Sequence, residues 1–138
     1  MKYKIKKVKG CWPKSKRKLV KSAIDFSIKY YGLKAENEYP LKIKLTSLDD
    51  IYGDAWYSED YFEIRLADRG KNKILLRSVF HEMCHIKQFV FDGLELDAQQ
   101  YRFLGRSYKI NYWNTPWEIE ARKMEKKLLQ KYKKVLDF

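Results

Sequence analysis

The chain is poor in the residues that make covalent or metal frameworks. Of its 138 residues only two are Cys and two are His, with three Pro and six Gly. Cys11 and Cys84 cannot build a disulfide scaffold, which points to a soluble protein of a reducing, cytoplasmic compartment. Long apolar runs are missing too. The longest, Ile74 to Leu76 and Phe89 to Phe91, fall far short of a membrane span, and no apolar stretch follows the basic start, so neither a membrane helix nor a signal peptide is expected. There is no repeat, no Gly/Ser linker and no low-complexity block. Acid is absent from residues 1–24, which hold ten Lys or Arg.

What is present fits one domain: 45% hydrophobic and 16% aromatic residues, enough for a packed core. The net charge of +12 is uneven. Basic clusters at 1–24 and from Arg122 to Lys134 flank a mostly acidic stretch from Asp49 to Asp68. Such charge either solvates helix faces and a frayed tail or holds an anionic partner such as nucleic acid through the basic termini.

Residues 1–14 read as a basic arm closed by Trp12-Pro13, and 15–138 as a single domain. Ser15 caps an expected helix over 16–31, with Gly32 as its stop. Leu41 to Leu45, Gly53 to Tyr57 and Tyr61 to Ala67 read as three strands. Leu75, Val79, Met83, Ile86 and Val90 form a helical stripe over 73–91, broken by Asp92-Gly93. Residues 94–104 are expected to be helical and 106–114 to be an aromatic loop. Pro116 opens a last helix to about Lys134. The expected fold class is α+β: an N-terminal helix, a small mixed three-stranded sheet and two further helices.

Both histidines lie in His81-Glu82-Met83-Cys84-His85. This is H-E-x-x-H on a helix, where positions i and i+4 share a face and both imidazoles reach one ion. Zinc is the expected ion, with Glu82 as general base toward a water. The alternative is two polar helix histidines without metal. No third His exists, so a third ligand must be acidic or Cys. Glu118 and Glu120 are the candidates, two apart and therefore pointing apart. Glu118 has a competing role in a Thr115-x-x-Glu118 capping box. Cys84 turns toward another face of the helix. Arg106, Tyr108 and Tyr112 are candidates to stabilise an oxyanion. Trp113 and Trp117 are expected to anchor the last helix, and Gln88 and Asp92 to lie on the histidine side of theirs, orienting an imidazole or forming polar surface.

Ser78 to His85 resembles the active-site helix of the zincin metallopeptidases. The stretch from Leu41 through Val90, with Gly53-Asp54-Ala55, is similar to the small SprT and Spartan type of zincin domain. That resemblance implies a zinc peptidase whose peptide or protein substrate pairs with an edge strand, here Tyr61 to Ala67. The SprT type uses a third His, which this chain lacks. Glu118-Ile119-Glu120-Ala121 is instead similar to the Glu-x-x-Ala helix of the glutamate-ligated zincins (gluzincins), as in small bacterial and phage zincin-like proteins. The match implies Glu118 as the ligand, beside His81 and His85. Gluzincins often hold a ligand histidine with an acid four residues after that Glu; here the position is Arg122.

Overall fold

The computed structural model describes residues 1–34, 39–96, 100–109 and 115–136. Ten elements follow in order: β1 (Tyr3–Lys7), α1 (Lys14–Tyr31), β2 (Leu41–Thr46), β3 (Gly53–Tyr57), β4 (Phe62–Ala67), α2 (Asn72–Phe91), β5 (Glu95–Leu96), β6 (Gln100–Phe103), β7 (Arg106–Lys109) and α3 (Pro116–Leu136). The class is α+β, with three helices and a mixed sheet among the described residues.

The main sheet has four strands, not three, in the order β1-β2-β4-β3. Its extra strand comes from the expected arm. Tyr3–Lys7 pairs in parallel with β2, Tyr3 opposite Leu41 and Ile5 opposite Ile43. The alternation of Tyr3 and Ile5 with lysines is therefore a strand period, with α1 as the crossover between the parallel strands. β2 and β4 are also parallel, and β3 is antiparallel to β4. β4 is thus interior, and the edges are β1 and β3, of which β3 lies against α2. This corrects the expectation that Tyr61 to Ala67 forms the edge.

One sheet face is apolar and covered. Leu41, Ile43, Leu45, Ile64 and Leu66 join Val20, Ile24, Val79, Phe80 and Met83 in one buried core. α2 packs against β3 and β4 and is flanked by α1 and α3. Phe26, Phe80 and Tyr132 meet edge-on at centroid distances of 5.4–6.0 Å, tying α1, α2 and α3 together. Truncating Phe80 to Ala would cost about 3–5 kcal/mol on the scale of such core deletions. This packing fixes α3 alongside α2.

Helix ends differ in detail from the expectation. α1 begins at Lys14 with Pro13 in the extended cap position and no side-chain cap, so Ser15 falls inside the first turn. Gly32 ends it with φ of 65°, a left-handed conformation that glycine adopts without a Cβ clash.

The described residues of the expected helix over 94–104 are not helical. β5, β6 and β7 form a separate antiparallel sheet, with Phe103 opposite Arg106. Leu104 and Gly105, at φ of 52° and 78°, make a two-residue turn between β6 and β7. Gly105 is therefore a hairpin glycine rather than a helix stop. β7 replaces the first part of the expected loop at 106–114. Leu94 and Phe103 bury themselves against Trp117 at the start of α3. Tyr112 and Trp113 lie outside the described residues.

Candidate metal centre

α2 presents His81 and His85 one turn apart, with their rings 5.0 Å between centroids. α3 brings Glu118 between them. Its Oε2 lies 3.1 Å from His81 Nε2 and its Oε1 lies 2.9 Å from His85 Nε2. The three potential ligand atoms all fall within 4.8 Å of one another.

The other ring nitrogens are held from behind. His81 Nδ1 lies 3.2 Å from Glu125 Oε1, and Arg77 Nε donates to Glu125 Oε2 at 3.0 Å. His85 Nδ1 lies 2.7 Å from Gln88 Oε1. The Gln88 amide nitrogen donates to Trp117 O at 2.9 Å and to Glu120 Oε1 at 2.8 Å. With its donors engaged there, the Gln88 oxygen accepts from His85 Nδ1–H, which leaves Nε2 as the ligand nitrogen. Both rings therefore turn Nε2 toward the same point.

Charge at the site follows from this geometry. Burial alone would lower the His81 pKa, but hydrogen bonds to Glu118 and Glu125 outweigh it and lift it to about 10. His85 moves the same way, against its burial, through Glu118 and Glu82. Glu118 is held well below the ordinary carboxylate range; burial opposes this, and its two histidine partners prevail. The Glu118 carboxylate thus favours the protonated form of both rings, and a cation bound there would take the place of the Nε2 protons.

Glu82 sits beside this cluster, 6% exposed, and burial raises its pKa to about 7. Its Oε2 is buried without a hydrogen-bond partner among the described residues. Gly53 of β3 makes room for it: a Cβ at position 53 would stand 3.0 Å from Arg65 O and 3.4 Å from Glu82 Cγ. His81, Glu82, His85 and Glu118 all open onto a cavity of about 480 Å³, which Gly53, Asp54 and Ala55 also line.

The remaining candidates separate clearly. Glu120 points away, bound by Lys87 at 3.0 Å and by Gln88. Glu118 forms no capping box: its carboxylate faces the imidazoles, and Thr115 Oγ1 has no hydrogen-bond partner among the described residues. Cys84 is buried with its Sγ 3.9 Å from Glu120, and burial pushes its pKa up to about 12. Asp92 pairs with Lys87 at 2.7 Å. Tyr108 stacks edge-on to Trp117, and Arg106 is exposed on β7; neither lines the cavity. Arg122 does line it. The sequence reading missed Glu125 and Arg77. Their signal was the spacing: Glu125 is two turns after Glu118, and Arg77 one turn before His81.

Two imidazoles and one carboxylate within reach of one another are a donor set that could hold a metal ion such as zinc, and the backed Nδ1 atoms fit such an ion. No family model matches the chain, and no curated protein or solved structure matches it either. No helix among the described residues is long and apolar enough to cross a membrane.

Proposed function

We propose that the chain is a zinc-dependent metallopeptidase with a zincin-like fold, in which His81, His85 and Glu118 hold the metal and Glu82 is the general base. The observation that carries this reading is the convergence of Glu118, from a helix distant in sequence, on both histidines of H-E-x-x-H. Zinc bound there would acidify a water and polarise the scissile carbonyl. Glu82, pushed up to about 7 by burial, is suited both to take a proton near neutral pH and to pass it to the leaving amine. Glu125 and Gln88 keep the imidazoles oriented.

Substrate lies along β3. Ala67 N donates to Tyr52 O at 2.8 Å and Ser58 N to Tyr61 O at 2.8 Å at the two ends of the β3–β4 pair. Antiparallel alternation then turns the backbone of Asp54 and Trp56 toward β4 and that of Gly53, Ala55 and Tyr57 toward the open edge. An extended peptide added there runs past Glu82 and the histidines. The cytoplasm suits the chain, since Cys11 and Cys84 are both free.

The test is Glu82→Gln, assayed on a randomised peptide library read by mass spectrometry. The variant should bind zinc as the parent does and cleave at least ~100-fold more slowly. Cleavage at the parental rate would remove Glu82 from the reaction.

A further inference from the structure

The second face of the main sheet has no element packed on it among the described residues, and it is basic. Strand alternation sends Lys4 and Lys6 of β1 outward, next to Lys42 and Lys44 of β2, with Glu63 and Arg65 of β4 beyond them. Two carboxylates on this face are already matched. Glu63, 1% exposed, pairs with Lys44 at 2.9 Å, and Asp54 pairs with Arg65. Lys4, Lys6 and Lys42 have no ion-pair partner among the described residues.

The register also places Lys4 opposite Lys42 and Lys6 opposite Lys44. Like charges directly across a ladder weaken a sheet, so this arrangement works against folding. Aromatic rings lie among the cations: Lys42 sits 3.9 Å over the Tyr61 ring and Arg65 4.9 Å over Trp56. At β1 the face meets a cavity of about 680 Å³ at the sheet's edge, with Met1 and Leu41 on its walls, Lys4 and Lys42 on the sheet's side, and Lys21 with Asp25, an i,i+4 ion pair of α1, on the other.

We propose that this face binds single-stranded nucleic acid, with phosphates against Lys4, Lys6 and Lys42 and a base in the adjoining cavity. A flat basic surface with aromatic rings and an apolar recess suits a flexible strand with exposed bases. An acidic peptide would use the lysines but has no regular planar group for the rings and recess. The lysines lie across the sheet from α2 and α3, which carry His81, His85 and Glu118, so the surface is separate from the candidate metal centre, and the proposal stands independently of peptidase activity.

The experiment is fluorescence anisotropy with a labelled oligothymidylate of about 20 nucleotides, titrated between about 50 and 200 mM salt. Lys4→Thr, Lys6→Thr and Lys42→Thr together, residues compatible with a strand, should weaken binding at least tenfold at the lower salt. They should also flatten the slope of log affinity against log salt by ~2, at about 0.7 for each phosphate left without its lysine. A control triple in α3, Lys123→Gln, Lys127→Gln and Lys134→Gln, removes the same charge and should leave the slope near the parental value. Thermal melts confirm that both triples fold. No binding by the parent, equal losses in the two triples, or equally effective competition by polyglutamate would each overturn the proposal.

Discussion

Glu82 and Glu125 are two acids in the same neighbourhood with opposite electrostatics. Burial lifts Glu82 to about 7, whereas Glu125 is lowered, its own burial outweighed by His81 and Arg77. In the metal-free protein a raised carboxyl has no effect on stability below its unfolded value of about 4.5, where both states are protonated. As pH climbs from there to about 7, the unfolded chain releases the proton first and the folded state loses ground, by up to ~3 kcal/mol. Glu82→Gln removes this loss. Urea midpoints of the metal-free variant and parent should lie close together near pH 4.5 and separate in the variant's favour by pH 8; parallel curves would contradict the assignment. Glu125 would act on a bound metal through His81. Glu125→Gln should keep the fold and weaken zinc affinity by about 10–100-fold, read by competition with a chromophoric chelator. An unchanged affinity would reduce Glu125 to an ion-pair partner of Arg77.

β3 carries the proposed contact with substrate because it is short, at an edge and close to α2. Ala55 turns its N–H toward the open side, where proline is tolerated in a strand. Ala55→Pro should therefore leave the melting temperature within a few degrees of the parent and raise KM about tenfold or more, with a smaller change in kcat. A variant with unaltered KM would move the substrate off this strand. The elements also show how much was legible in advance. H-E-x-x-H was visible because its geometry is local: one helical turn sets the distance between His81 and His85. β2, β3 and α2 were legible from their alternation and stripe. β1 was not, because its partner lies 38 positions away (Tyr3 opposite Leu41) and its lysines masked the period. β6 and β7 were missed because Gly105 serves equally well as a helix stop and as a hairpin residue. Spacing put Glu125 on the face of Glu118, but giving it a role required knowing that this face of α3 meets α2, a tertiary fact set by Phe26, Phe80 and Tyr132.

The whole molecule is organised around two sides of one sheet. The helices on the covered side bring Glu118 to the histidines across 33 positions of sequence from His85, and the other side gathers lysines from β1 and β2. Metal bound between α2 and α3 would therefore staple two elements of the core, and free ligand at 1,000 times its Kd adds about 4 kcal/mol to folding. The most direct measurement of the central claim is zinc content after reconstitution and exhaustive dialysis, in the parent, Glu118→Ala and Glu120→Ala. The account predicts one zinc per chain in the parent and in Glu120→Ala and almost none in Glu118→Ala. A parent that retains no stoichiometric zinc, or a Glu118→Ala variant that keeps it, would contradict the account.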